Sequence, residues 1–183
     1  MTGNLDQMKT FSAPCITVAG IADAGELARL VNSAYRGDSS KKGWTTEADL
    51  LGGQRTNEAG IREMIAEPDA VILKYTSEEG LLQGCVYLKK KTDKLYLGML
   101  TVSPELQTKG IGKQLLAAAE SMAKNHSCNT IEMTVISVRK ELIAWYVRHG
   151  YAATGETAPF PTDPKFGLPK QSLEFIVLEK QLV

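Results

Sequence analysis

The segment LYLGMLTVSPELQTKGIGKQLL, residues 95–116, carries the strongest structural signal in the sequence. Its apolar first part predicts a strand, and an amphipathic run follows two glycines, Gly110 and Gly112. Glycine lets backbone N–H groups approach an anion closely, and the first turn of a helix offers unpaired donors at the positive end of its dipole. The segment therefore predicts a strand, a turn that can hold a phosphate group, and a helix, with Lys109 and Lys113 as local cations.

Three interpretations compete for the two glycines. A P-loop needs a hydroxyl residue after its lysine, and because Gln114 follows Lys113, that class is excluded. A dinucleotide-binding fingerprint needs a third glycine near position 115, where the sequence has Leu115. The third interpretation, a turn that only packs a helix on a strand, stays open on these residues alone.

The sequence on either side of this segment predicts an α+β fold. Apolar runs at 71–75, 81–88 and 95–102, joined by short polar turns, are typical of an antiparallel meander. The glycines are followed by a helix, a strand at 130–136 and a helix ending at Gly150, which predicts a parallel strand pair. Further strands are predicted at 15–18, 151–154 and 173–178.

Helices are predicted before the meander. An apolar stripe at 27–35 follows Asp23, which is expected to be its N-cap. Thr46 and Asp49 resemble a capping box at the start of a short helix. Asn57 is expected to cap another helix, which Pro68 closes.

Composition limits the class of protein. The chain has 183 residues, with 21 basic and 21 acidic side chains and 3 cysteines that form no CxxC pair. Balanced charge gives no net field to attract nucleic acid or an anionic membrane, and an odd cysteine count disfavours a disulfide framework. No apolar stretch reaches the ~20 residues that span a bilayer. We expect a cytoplasmic protein without a metal, with residues 1–12 disordered and residues 13–183 as a single domain.

The order strand, Q-x-x-G-x-G, helix, strand and a helix ending in WYVRHGY, residues 145–151, resembles the Gcn5-related N-acetyltransferases (GNAT). The resemblance spans residues 71–151. It implies an α/β/α layered α+β fold whose mixed, mostly antiparallel sheet has one parallel strand pair, splayed to form an acyl-CoA cleft. It also implies an N-acetyltransferase that moves an acetyl group from acetyl-CoA to a primary amine by direct attack in a ternary complex.

The same resemblance implies where acetyl-CoA binds. Its pyrophosphate would lie on the backbone amides of the glycine turn. Its pantetheine arm would run beside the end of the preceding strand, where a backbone amide would polarise the acetyl carbonyl. Such a preorganised donor lowers a barrier by ~3 to 4 kcal/mol. The residues implied are Leu100, Thr101, Val102, Gln107, Thr108, Lys109, Gly110, Ile111, Gly112 and Lys113.

The resemblance also implies an acid, but it leaves the base open. The family often uses the tyrosine four residues before the glycine to protonate the departing thiolate, and here that residue is Tyr146, for which a core aromatic is the alternative. The strand at 95–102 has no carboxylate, so Glu132 is a candidate base, with a solvated carboxylate, His149 or water as alternatives. Arg139 stands where the family commonly has asparagine, which puts a cofactor contact there in doubt.

The acceptor is expected to bind along residues 35–55. Trp44 is a candidate apolar wall, Glu47 and Asp49 are candidate anchors for a cationic amine, and Arg55 is a candidate anchor for a carboxylate. Ordinary surface chemistry is the alternative for each. The expected partners are a small-molecule or peptide amine acceptor, no nucleic acid and no membrane, with a homodimer left open.

Two rival function classes remain beside the transferase. A non-catalytic acyl-CoA-binding regulatory module would keep the glycine turn but lack a working acid and base. A nucleic-acid-binding adaptor would want a basic stripe with exposed aromatic residues, and residues 89–91 are the nearest approach to one.

Overall fold

A seven-stranded sheet forms the centre of the protein, and the structure, a computed structural model, describes residues 16–183. The strands are β1 (Ile16–Val18), β2 (Leu51–Gly52), β3 (Ala70–Thr76), β4 (Leu82–Lys90), β5 (Lys94–Val102), β6 (Thr130–Ile136), β7 (Ala152–Pro159), β8 (Leu168–Pro169) and β9 (Glu174–Gln181). The helices are α1 (Ala24–Tyr35), α2 (Gly37–Ser40), α3 (Glu58–Ala66), α4 (Ile111–Asn125) and α5 (Lys140–Arg148). The predicted disordered segment and the domain boundary at residue 13 lie outside the described residues.

The strand order confirms the predicted mixed sheet. The large sheet runs β1-β3-β4-β5-β6-β9-β7, and every neighbouring pair is antiparallel except β5 and β6, which are parallel. The short strands β2 and β8 form a separate antiparallel pair. The connection from β5 through α4 to β6 is therefore the crossover that the glycine-containing segment predicts.

Helices cover both faces of the sheet, which confirms the layered architecture. On one face α1 and α3 bury residues such as Leu27, Val31 and Ile61, and on the other α4 buries residues such as Leu115 and Met122. These residues repeat at helical spacing, so each helix presents one apolar stripe to the sheet.

The parallel strands β5 and β6 separate after three residue pairs. Register between β5 and β6 covers Lys94 to Tyr96 against Thr130 to Glu132. Further along β5, a bulge opposes Met99 and Leu100 to a single residue of β4, and Met99 has a φ of 52°. The bulge and the early end of pairing open the sheet between these two strands.

Two local predictions differ from the structure. The Thr46 hydroxyl accepts from the N–H of Ala48 and Leu51 N–H donates to the carbonyl of Glu47, but only this single turn forms, because the chain then pairs as β2 with β8. Asp23 is the N-cap residue of α1, as predicted, but its carboxylate makes no capping bond, since it accepts from the N–H of Gly20 and from Lys74. The Asn57 cap is confirmed, with its Oδ1 accepting from the N–H of Gly60 at 2.8 Å.

Candidate active site

A first cavity of about 390 Å³ lies between the end of β5, the start of α4 and the side of α5. Nine of the ten residues implied in cofactor binding line it, the exception being Lys109. Trp44 and Tyr35 also face it, and Trp44 contacts Trp145 with ring centroids 6.2 Å apart. The end of β5, the start of α4 and the Trp44–Trp145 pair therefore all line the first cavity.

The start of α4 leaves backbone donors free. Its first intrahelical bond joins the N–H of Gln114 to the carbonyl of Gly110, so the amides of residues 111–113 have no acceptor within the helix. Gly110 has a φ of 86°, which other L-residues rarely adopt, and a Cβ there would meet nothing within 4 Å. The glycine is therefore required by backbone conformation, and the helix start can bind an anion such as a pyrophosphate.

Gln107 ties the loop before β2 to the end of β5. Its Nε2 donates to the carbonyl of Val102 at 3.3 Å, and its Oε1 accepts from the N–H of Trp44 at 3.0 Å. A Cβ at Gly43 would lie 2.2 Å from that Oε1, so glycine allows this close approach. The side chain of Gln107 holds Trp44 over the first cavity.

A second cavity, of about 270 Å³, lies in the opening between β5 and β6. Its wall includes the bulge of β5, the second half of β6, and aromatic residues of the proline-containing loop before β8. The two cavities share five lining residues: Tyr35, Leu100, Arg139, Leu142 and Tyr146. A group bound in one cavity can therefore meet a group bound in the other at this junction.

Two tyrosines lie at the junction. The Tyr35 hydroxyl donates to the carbonyl of Leu100 at 2.7 Å, and burial raises the pKa of Tyr35 to about 12. Tyr146 is 5% exposed and packs edge-on against Trp145 and Tyr151. Burial raises the pKa of Tyr146 far above its usual value, with the neighbouring Tyr35 adding to the effect. Both phenols carry their protons at neutral pH.

A buried ion cluster borders the junction. Glu47 accepts from Arg36 through Oε2 and from Arg139 through Oε1, each at 3.1 Å, and all three side chains are less than a tenth exposed. Arg139 also donates to the Thr45 hydroxyl at 2.6 Å, and Arg36 donates to the carbonyl of Phe166 at 3.1 Å. The cluster joins α1, the following loop, α5 and the proline-containing loop.

The other residues singled out from the sequence fall in different places. Arg55 lines the second cavity, and His149 lines the first with its Nδ1 2.8 Å from the carbonyl of Trp145. Asp49 is exposed and lines neither cavity. Glu132 also lies outside both, where hydrogen bonds from Lys91 and Lys94 hold its pKa below the usual value against partial desolvation.

Sequence reasoning gave no individual role to three residues that line the second cavity, Tyr35, Arg36 and Met99. Tyr35 belongs to the apolar stripe of α1, so its pattern assigned it to the core. Arg36 lies in a polar stretch that reads as a loop. The positive φ of Met99 could not be read from the sequence. Residues other than glycine rarely adopt a positive φ, so a methionine gives no reason to expect one. Arg139 was visible as a departure from the family pattern, and this departure marks the ion cluster.

Thiol and metal chemistry have no support among the described residues. Burial raises the pKa of Cys85 to about 12, so this residue is a thiol at neutral pH. Within residues 16–183, no group of three or more histidine, cysteine, aspartate or glutamate side chains has the arrangement to hold a metal ion. None of the helices in that range combines the length and apolarity that crossing a bilayer requires.

Comparison with known proteins points to one family. The model of the acetyltransferase (GNAT) domain matches residues 41–160. A search of curated proteins finds no match. Among solved structures, an acetyltransferase of the GNAT family from Staphylococcus aureus Mu50 is 14% identical with a TM-score of 0.67, covering 92% of this chain and 98% of its own.

Two further structures share the fold. The ribosomal-protein-S18-alanine N-acetyltransferase from Escherichia coli is 14% identical with a TM-score of 0.66, covering 91% of this chain and 92% of its own. A protein from Salmonella typhimurium, solved with its cofactor acetyl-CoA, is 16% identical with a TM-score of 0.65, covering 92% of this chain and 93% of its own. At identities this low, the similarity shows only that the fold is shared.

Proposed function

Because the chain belongs to the acetyltransferase (GNAT) family, we propose that it is an N-acetyltransferase that moves an acetyl group from acetyl-CoA to a primary amine. The observation that carries this proposal is the meeting of two cavities at five shared residues in the opening of the sheet. One cavity suits the donor and the other the acceptor. Direct attack in a ternary complex needs such a junction, because the amine must reach the acyl carbon.

The first cavity fits acetyl-CoA. Free amides at the start of α4 and the side chain of Lys113 suit a pyrophosphate, and the end of β5 offers backbone groups beside an apolar wall. Acetyl-CoA supplies the activated thioester carbonyl when bound. The chain has to hold that carbonyl at the junction and stabilise the charge that develops on its oxygen.

The bulge in β5 is the proposed source of that stabilisation. Since Met99 and Leu100 oppose one residue of β4, one of these residues has no ladder partner for its backbone groups. The Tyr35 hydroxyl holds the carbonyl of Leu100 and so fixes the bulge in place. Fixing this carbonyl also fixes the peptide groups beside it, and the backbone N–H of the bulge that has no ladder partner is the proposed preorganised donor for an oxyanion.

Tyr146 is the proposed general acid. Its phenol lines both cavities and keeps its proton at neutral pH because burial disfavours the phenolate. Tyr146 donates that proton to the departing sulfur as the C–N bond forms and the C–S bond breaks. The proton that the amine loses passes through water to the Tyr146 oxygen and restores the buried phenol, because Glu132 lies outside both cavities and the other junction side chains are a phenol, an arginine and apolar groups.

Ligand-dependent thermal unfolding tests the donor site. A ligand at 100 times its Kd adds ~2.7 kcal/mol, which at this chain length raises Tm by roughly 5 to 10 °C. Acetyl-CoA and CoA are expected to raise Tm by this amount, and ATP and NAD by far less. The variant Gly112→Asp places a carboxylate among the free amides and is expected to abolish the shift, whereas Gln114→Asp, exposed in the same turn, keeps it.

Release of CoA thiol separates the transferase from a non-catalytic acyl-CoA-binding module. An amine panel that yields thiol above the rate without amine supports transfer. A protein that binds both CoA species with full Tm shifts but releases no thiol with any amine is the regulatory module instead. No shift with either CoA species would contradict both.

A further inference from the structure

The charge of the second cavity bears on which amine it accepts. Among the described residues that line it, the charged side chains are those of Arg36, Glu47, Arg55 and Arg139. The carboxylate of Glu47 is fully used by two of the arginines. Its charge is therefore already balanced within the chain, and with three arginines against one glutamate the lining carries a positive excess.

Arg55 is the cation of this lining that has no carboxylate partner. No acidic group within residues 16–183 forms an ion pair with its guanidinium. Its backbone is held by Asn32, whose Oδ1 accepts from the N–H groups of Arg55 at 2.8 Å and of Thr56 at 3.2 Å. Its guanidinium lies over the ring of Tyr35, with Cζ 5.5 Å from the centroid. A positioned arginine without a counter-ion is suited to bind an anion from outside the chain.

Arg139 provides a second, independent observation that points to an anionic ligand. Its side chain is 6% exposed, and its Nε is buried without a hydrogen-bond partner in the described part of the chain. The carboxylate of Glu141 is 3.8 Å from that Nε, which is too long for a hydrogen bond. A buried donor left unsatisfied costs free energy, so a ligand oxygen that reached it would be favoured.

The remaining wall is apolar and limits the size of the ligand. At about 270 Å³ the cavity suits a small molecule. Its apolar lining includes Tyr96, Met99, Met133, Phe160, Phe166 and Phe175. A bound molecule would therefore bury an apolar body against these side chains.

We infer that the acceptor is a small primary amine that also carries a carboxylate and an apolar body, as an apolar amino acid does, and that Arg55 binds the carboxylate. This inference rests on the proposed acetyl transfer. Positive surroundings also favour the neutral form of an amine over its ammonium form, and only the neutral form is nucleophilic. The same charge thus selects the carboxylate and prepares the amine, in a site that lacks a carboxylate base.

Matched substrates test this inference through thiol release from acetyl-CoA. The panel contains L-leucine, L-methionine and L-phenylalanine, each with its carboxamide and its decarboxylated amine, together with spermidine and an alanine tripeptide. We expect at least one free acid to exceed its carboxamide about 10-fold or more in kcat/KM, because the carboxylate contacts a charged donor. Spermidine and the tripeptide are expected to react poorly.

A variant cycle locates the effect at Arg55. Arg55→Gln is expected to raise the KM of the acid about 10- to 100-fold while changing that of its carboxamide less than about 3-fold. Arg55→Lys restores part of the preference because it keeps the charge without the planar fork. Arg62→Gln, an exposed arginine of α3 that lines neither cavity, is the matched control and is expected to behave as wild type.

The outcomes separate this inference from the proposed function. Acetylation in which carboxamides, spermidine or the tripeptide match or exceed the acids overturns the inference and leaves acetyl transfer standing. An Arg55→Gln effect equal on acid and carboxamide also overturns it. If no acid causes release of CoA thiol from acetyl-CoA, and no acid shifts Tm in the presence of CoA, the inference is also overturned. Failure of acetyl-CoA itself to bind would overturn the proposed function.

Discussion

Tyr146 combines a polar group with a core position, and the two roles predict different results for one substitution. We expect Tyr146→Phe to lower kcat about 100-fold or more with little change in the Kd of acetyl-CoA, since only the proton donor is lost. Steady-state kinetics at saturating substrates, with a separate binding titration, measures both. Unchanged turnover would leave Tyr146 as a packing residue.

Tyr151 is the matched control for this substitution. It is 2% exposed, packs edge-on against Tyr146 with ring centroids 5.7 Å apart, and lines neither cavity. Its hydroxyl is buried without a hydrogen-bond partner among residues 16–183. Tyr151→Phe is therefore expected to leave kcat unchanged and stability equal or higher, because it removes an unsatisfied polar group.

At the scale of elements, the site depends on where β5 and β6 stop pairing. A continuous ladder would close the sheet, and neither cavity could pass between its two strands. The bulge at Met99 interrupts the pairing of β5 with β4, and Tyr35 at the end of α1 donates to the carbonyl of Leu100 beside it. The opening is thus built from one irregular strand and the end of one helix.

The ion cluster holds the surrounding elements together, and removing its anion tests this. Glu47→Gln leaves two buried guanidinium groups without a full counter-charge, so we expect a loss of about 3 kcal/mol or more in the free energy of unfolding. Urea unfolding measures this loss. Glu58→Gln, which breaks an exposed pair with Arg62, is the control and should cost about 0.5 kcal/mol or less. Equal small losses would show that the cluster is not a structural tie.

For the whole molecule, the free energy of unfolding is expected to decrease at acidic pH. Burial alone would raise the pKa of Asp23, but the hydrogen bond and charge of Lys74, with the N–H of Gly20, lower it below its usual value. Hydrogen bonds from Lys89 and Tyr87 lower the pKa of Glu67. The pKa of Glu132 is lowered mainly by its hydrogen bond from Lys91. A lowered pKa in the folded state means that the unfolded state binds more protons, so stability rises with pH through this range.

We therefore expect these three carboxyls to make the free energy of unfolding fall as pH drops below about 4.5, through their lowered pKa values. Urea unfolding at a series of pH values gives the slope. Asp23→Asn should make the acid slope shallower, and Asp49→Asn, at an exposed side chain, should leave it unchanged. A slope that is identical in the wild type and in Asp23→Asn would contradict this assignment.

Most of the fold could be predicted because its signals are local. The strand at 130–136 was predicted with its observed bounds, and the helix that begins after Gly110 was predicted from glycine and apolar spacing alone. The prediction of a short helix at Thr46 was wrong. Its capping pattern is also local, and it contains no information about β8, a segment far along the chain that pairs with β2. Local pattern is reliable where no distant segment competes with it.

The candidate site divides along the same line. The glycine turn and Tyr146 were visible in the sequence, since a family motif and backbone conformation are properties of neighbouring residues. The ion cluster was not visible, because it joins Arg36 to Glu47 and Glu47 to Arg139 across 11 and 92 residues. Sequence patterning predicted the order of elements and the glycine turn before α4, through periodicity and φ preference. Tertiary packing alone decided that Glu47 is neutralised and Arg55 left without a partner, because charge pairing depends on distances in space.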